Sequence, residues 1–137
     1  MSLSNYSENE LLDHLLGKGT RNFTSPATLA VALFSAQTGT ESATDEPTFT
    51  EFANSNGYAR KAVTFGTAAL GSASNSADIT FDTATGDQGT VVAIGVFDSA
   101  TYGGGNLLFY GNLTVSKTIQ NGDTFEIKSG NLTVTFD

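Results

Sequence analysis

The sequence predicts a mainly β protein: an antiparallel β-sandwich of about six to eight short strands with a short N-terminal amphipathic helix. Three observations lead to this fold class. Apolar residues recur with a period of two in short runs from Pro26 onward. Glycine-centred turns separate many of these runs. A helical pattern occurs only before residue 20, so alternating strand and helix units are not expected.

The first segment of the chain predicts the helix. Ser7 and Glu10 have the spacing of a capping box, and glycines at positions 17 and 19 are expected to end the helix. Four leucines share one face, namely Leu11, Leu12, Leu15 and Leu16. Because a helix of roughly ten residues is marginal alone, this face should be buried, either against the domain or against another chain. In the second case, residues 1–19 form an assembly arm.

The strands begin with residues 29–34, which are apolar on both faces, as in a strand that is covered on both sides. Residues 35–57 lose this periodicity and carry several carboxylates, so we predict a long acidic loop there. Further strands are expected at residues 58–65, 77–81 and 90–97, and the last of these is the predicted central strand.

The remaining third of the chain is predicted to be a meander. Three consecutive glycines within residues 98–105 favour a hairpin turn, with residues 107–110 as the return strand. Strands at residues 113–119, 124–127 and 132–136 should follow. With 137 residues, the chain is expected to form one domain, a helical arm (1–19) followed by the sandwich (20–137).

Composition bears on the kinds of partner and site. Six Lys and Arg against 14 Asp and Glu give a net charge of −8, which repels a phosphate backbone, so no nucleic-acid partner is expected. The chain has no Cys, which leaves no disulfide or thiolate site. No signal peptide and no apolar run of about 18 residues is visible, so we expect no membrane segment. We therefore expect assembly in a cytoplasm.

Catalytic chemistry has little support in the sequence. The one imidazole, His14, lies four residues after Glu10 and is interpreted as a helix-surface or partly buried residue. Asp82, Thr85 and Asp87 offer oxygen ligands for a hard cation, but they lack the regular spacing of a calcium loop. We expect no catalytic residue, no cofactor and no metal, and hence a protein that is not an enzyme.

Several other side chains are candidates for contacts between subunits. Arg60 and Lys61 form the only adjacent basic pair, which can dock a carboxylate of a neighbour, although a plain surface pair is the alternative. Tyr58, Tyr102 and Tyr110 lie at predicted loop edges, where exposed aromatic residues often anchor an interface. Together with the four leucines, these residues are the predicted interface set.

The order of several short motifs resembles a family of small tailed-bacteriophage virion proteins, named variously as tail-fibre or capsid decoration proteins. The resemblance spans nearly the whole chain. It runs through Asn5-Tyr6, Leu11-Leu12-Asp13-His14, Phe23-Thr24-Ser25-Pro26-Ala27-Thr28, Gly57-Tyr58-Ala59-Arg60, Asn75-Ser76-Ala77-Asp78, Gly95-Val96-Phe97-Asp98, Gly104-Gly105-Asn106-Leu107-Leu108, Ser116-Lys117-Thr118 and Gly122-Asp123-Thr124. The resemblance implies a component of the virion and not an enzyme.

Three functions follow as expectations. The leading one is a capsid decoration or cement protein, a trimer or dimer that binds the major capsid protein on the outer surface of the head. The chain is small, lacks a coiled-coil stretch for a fibre shaft, and carries an isolated helix and an acidic loop suited to neighbour contacts. The first alternative is a tail, baseplate or tail-fibre-associated structural protein. The second is a carbohydrate-binding module, since exposed tyrosines can stack on sugars.

Overall fold

The computed structural model describes residues 1–19, 23–41 and 45–136. Strands make up 40% of the chain and pair antiparallel, with one short helix near the N-terminus, which confirms the predicted fold class. The elements are β1 (Ser2–Leu3), α1 (Asn5–Leu16), β2 (Ala30–Thr38), β3 (Thr48–Glu51), β4 (Lys61–Ala62), β5 (Ser72–Ser74), β6 (Ile79–Thr80), β7 (Gly89–Phe97), β8 (Leu107–Ile119), β9 (Glu126–Ile127) and β10 (Thr133–Thr135). Among the described residues, no helix is long and apolar enough to cross a membrane.

The main sheet has the strand order β1-β8-β7-β2-β3, and β4 also pairs with β2. The predicted central position of β7 is confirmed. Ala30–Phe34 of β2 is buried throughout, which confirms the strand covered on both faces. β2 and β7 lie in register with Val31 opposite Val96.

The core lies between this sheet and a second layer. Val31, Leu33, Val91 and Val96 of the main sheet pack in one buried cluster with residues of the second layer. That layer contains two short ribbons, β6 with β9 and β5 with β10. A smaller cluster of Ala32, Phe34 and Ala93 lies on the opposite side of the sheet. The arrangement is that of a sandwich with one extensive and one partial covering layer.

The predicted C-terminal meander is wrong in its pairing. The turns form as expected, with positive φ at Gly122 and Gly130. However, β9 pairs with β6 and β10 pairs with β5, so the strands after the turns join segments more than 40 residues earlier. Strands of two or three residues gain little from local pairing, and burial against the core decides their partners instead. The strand predicted at 58–65 is likewise reduced to β4.

The strands predicted at 107–110 and 113–119 are one strand, β8. Gly111 and Asn112, which the sequence suggested as a break, stay in the ladder opposite Ile94 and Ala93. Beyond them the register shifts. Ala93 lies opposite Asn112, but Val91 lies opposite Lys117, so a step of two residues in β7 corresponds to a step of five in β8. A bulge in β8 therefore carries three extra residues, with Val115 exposed within it.

The predicted loop 35–57 is only partly a loop. β2 continues to Thr38 and pairs with β3, with Gln37 opposite Phe49. The alternation of exposed and half-buried residues along β3 is the ordinary pattern of an edge strand with one covered face. Residues 42–44 of the predicted loop lie outside the described residues.

Candidate interaction surface

Ser4 fixes α1 to the main sheet. It is the N-cap: its Oγ accepts the backbone N–H of Ser7 at 3.2 Å. Its own N–H donates to the Leu108 carbonyl of β8 at 2.9 Å, and its Oγ donates to the Leu107 carbonyl. The capping box predicted on Ser7 is therefore wrong, because Ser4 lies three residues earlier and its bonds to β8 set the start of the helix. Gly17 ends the helix in the left-handed conformation, as predicted.

The C-terminal half of α1 projects from the body of the protein. Ser7 and His14 lie seven residues apart on the same helical face, yet Ser7 is buried and His14 is exposed. Leu11 is half-buried, while Leu12, Leu15 and Leu16 have exposed fractions of 54%, 70% and 69%. These last three residues are called the leucine stripe below. Most of the predicted leucine face is therefore uncovered by the chain's own core.

An apolar cavity adjoins the helix. It has a volume of about 220 Å³ and is lined by Leu3, Ser7, Leu11, Phe23, Leu108, Phe109 and Phe136. Phe136 is half-exposed, and its ring centroid lies 6.4 Å from that of Phe109. Because Leu11 lines this cavity and precedes Leu15 by one helical turn, the cavity and the leucine stripe share one side of the molecule.

The two ends of α1 carry opposite charges. At the N-terminal end, the Asn5 N–H donates to the Glu46 carboxylate at 3.1 Å, a favourable position for an anion at a helix N-terminus. Partial burial, and then the carboxylates of Glu8 and Glu46, raise the pKa of Glu41. These acids form an acidic corner, whereas Lys18 follows directly after the C-cap at the other end.

A tight turn presents a second apolar residue, Leu70. Ala69 and Ser72 exchange both backbone hydrogen bonds, at 2.9 and 3.0 Å, around Leu70 and Gly71. Both central residues have positive φ, 52° and 72°, as in a type I′ turn, where Asn-Gly is preferred. Leu70 is nevertheless fully exposed. Sequence reasoning missed this residue, because nothing in a single leucine before a glycine signals a left-handed backbone.

Arg60 and Tyr58, both in the predicted interface set, are internal. Arg60 forms a bidentate ion pair with Glu51, with both N···O distances at 2.8 Å, and its guanidinium lies 3.7 Å from the Phe97 ring centroid. It also donates to the backbone carbonyls of residues 99 and 104. Burial raises the pKa of Tyr58, whose hydroxyl donates to Glu51 at 2.8 Å. This Arg60 clamp fastens the β7–β8 loop to the end of β3.

The other predicted interface residues divide between surface and interior. Lys61 pairs with Asp82 at 2.7 Å, and Tyr102 is exposed in the β7–β8 loop. Tyr110 is buried, with its ring centroid 4.9 Å from that of Phe49. The exposure expected of Tyr58 and Tyr110 is therefore wrong, because both rings fill the core. The interface role of the set stays a prediction.

The acidic residues considered for a cation are engaged in other contacts. Besides the Asp82 ion pair with Lys61, Asp87 accepts the backbone N–H of Asn121 at 2.9 Å. Within the described ranges, no group of three or more His, Asp or Glu side chains is placed to hold a metal ion.

The mainly β chain thus carries three exposed leucines on one helical face, and exposed apolar patches often mark interaction sites. Over residues 2–135 the sequence matches the family described as Podophage GP4 fiber I protein gp80, and the chain belongs to this family. The resemblance to tailed-phage virion proteins is thereby confirmed, and the protein is a structural component of a phage virion. No curated protein matches the sequence.

Proposed function

We propose that this protein is a non-catalytic subunit of the phage tail or its fibres that holds neighbouring chains through the leucine stripe. The main support for this proposal is that three leucines on one helical face lie outside the core. Covering their exposed portions is worth about 4 kcal/mol in total, from the transfer free energy of a leucine side chain. Leu70 and Phe136 are further exposed apolar side chains that such contacts can use.

The tail position is preferred over the capsid surface because the family description names a fibre protein. Capsid decoration, the leading expectation from the sequence, keeps its own support, since a small acidic chain without a shaft-forming repeat suits a shell-binding subunit. In either position the protein acts by mass action, stabilising the assembled form to which it binds.

Labelling of intact particles with an antibody to this protein tests the proposal. We expect label at the tail. Label spread over the head would favour decoration, in which case particles lacking the protein should also release their genome at lower temperature. An absence of label from purified particles, with the denatured protein also missing from them, would overturn both positions.

A matched pair of variants tests the stripe itself. Leu15→Glu should lower the amount of protein incorporated into particles, because it places a carboxylate within the apolar contact. Val115→Glu, at a residue of similar exposure on the β8 bulge, makes the same charge change elsewhere. Equal incorporation of the two variants would show that the stripe is not the contact.

Carbohydrate binding retains one observation in its favour. A cleft of about 580 Å³ lies between β8 and the 124–127 segment, with polar residues such as Asn112, Lys117 and Glu126 beside Phe125. Hydroxyl-binding groups next to an aromatic ring suit a sugar. A glycan array with the purified chain tests this reading, and the absence of any hit would remove it.

A further inference from the structure

We propose that a second copy of this chain covers the leucine stripe, with the two α1 helices packed antiparallel about a two-fold axis. This inference goes beyond the function proposed above, which requires only that some chain cover the stripe. It rests on two independent properties of α1, the spacing of the leucines and the distribution of charge along the helix.

The leucine spacing is self-complementary. In an antiparallel pair centred between residues 13 and 14, Leu12 of one copy lies opposite Leu15 of the other, and Leu11 lies opposite Leu16. A two-fold axis repeats each contact, which is the rule for an isologous interface. Because the C-terminal half of α1 projects from the body, a second helix can approach the stripe.

The charges select the antiparallel orientation. Glu8 lies one turn before Leu12 and two turns before Leu16, so it continues the stripe toward the N-terminus. Lys18 lies just beyond the other end. The antiparallel pair brings Glu8 of each copy to Lys18 of the other. A parallel pair would instead bring Glu8, Glu41 and Glu46 of the two copies together, where like charges repel.

The size of the stripe predicts a weak dimer in free solution. A helix of 12 residues is about 18 Å long, so one helix pair covers less than the roughly 1,200 Å² typical of stable complexes. Attachment of several copies at neighbouring points of a particle raises their effective concentration and so favours the same contact.

Sedimentation of the full chain at increasing concentration, up to roughly millimolar, tests self-association. We expect the average mass to rise from 14.2 kDa toward twice that value. Leu15→Glu should raise the dissociation constant at least roughly tenfold, and Val115→Glu should leave it near that of the wild type. A chain that stays monomeric, or equal effects of the two variants, would overturn the proposal.

A charge exchange tests the orientation. Glu8→Lys and Lys18→Glu should each weaken the dimer, and the double variant should recover most of the loss, because opposite charges again face each other. Helix content, followed by circular dichroism, controls for altered helix stability. The antiparallel pair is refuted if the double variant loses as much dimer affinity as the two single variants together, or if the complex proves to be a trimer. Antibody labelling of particles does not depend on this helix contact, so it tests the position of the protein in the virion separately.

Discussion

The replacement of Leu70 by Asn should stabilise the isolated protein. A leucine with φ of 52° occupies the left-handed region at a cost of about 1–2 kcal/mol, which Asn tolerates better. Leu70 is fully exposed, so its removal takes no packing from the folded chain. The chain itself offers the preferred pair at Asn56-Gly57, with φ of 53° and 81°. We expect a gain of about 1 kcal/mol, or about 3 °C in Tm.

Thermal and urea unfolding measure this change. The urea midpoint of Leu70→Asn should rise while the slope m stays constant, since the surface exposed on unfolding is nearly the same. Leu70→Ala is the control: it shortens the side chain but keeps a β-carbon in the left-handed conformation, so its stability should stay near that of the wild type. A variant Leu70→Asn that is no more stable than Leu70→Ala would show that the turn is not strained by leucine.

The same substitution should act in the opposite direction on assembly. An exposed leucine in an unfavourable backbone conformation is explained if its side chain makes contacts only in the particle. Particles carrying Leu70→Asn should therefore retain less of the protein after washing than wild-type particles. Equal retention of the two proteins would show that this turn is not part of the interaction surface.

Substitutions at three other contacts should change the stability of the protein. Arg60→Lys loses the bidentate ion pair and should cost about 2–4 kcal/mol in urea unfolding, whereas a change below 0.5 kcal/mol would refute the clamp. Ser4→Ala removes the N-cap and should cost about 1–2 kcal/mol with a loss of helical dichroism, and an unchanged helix signal would contradict it. The Ser129 N–H and then Lys128 lower the pKa of Asp78 below its ordinary 3.8. Its stabilising contribution is therefore present above that ordinary value and is lost as the pH falls through the lower folded pKa. Asp78→Asn should therefore reduce the loss of stability at acid pH. An unchanged dependence of the unfolding free energy on pH would argue against this role of Asp78.

The elements that the sequence predicted well are those whose signal is local. The apolar run of β2 and that of β7 were long enough to identify buried strands, and the glycines at 103–105 marked the hairpin between β7 and β8. The partners of β9 and β10 were not predictable in this way. The turns before them fit either a local hairpin or a crossover, and the choice depends on which apolar face meets the core.

The interaction surface was predictable to a similar degree. Helical periodicity identified the leucine face, but only the structure shows that Ser4 holds the helix so that this face projects. The sequence predicts Arg60 at the surface, where with Lys61 it either docks a carboxylate of a neighbour or forms a plain surface pair. Its carboxylate partner, Glu51, ends β3 within a segment that the sequence predicts to be a loop, so the burial of this ion pair depends on a strand that has no local signal.

The bulge in β8 affects how another chain can pair with this edge of the sheet. An outer strand with a straight run of free N–H and C=O groups invites another chain to add to the ladder, and such addition can continue without limit. Among the described strands, β1 covers β8 only at Phe109 and Tyr110, so the later part of β8 lies at an edge of the sheet. Three surplus residues between Asn112 and Lys117 bend this edge and break its spacing. At this edge the bulge therefore disfavours the addition of a strand from another chain, and contacts there are left to side chains.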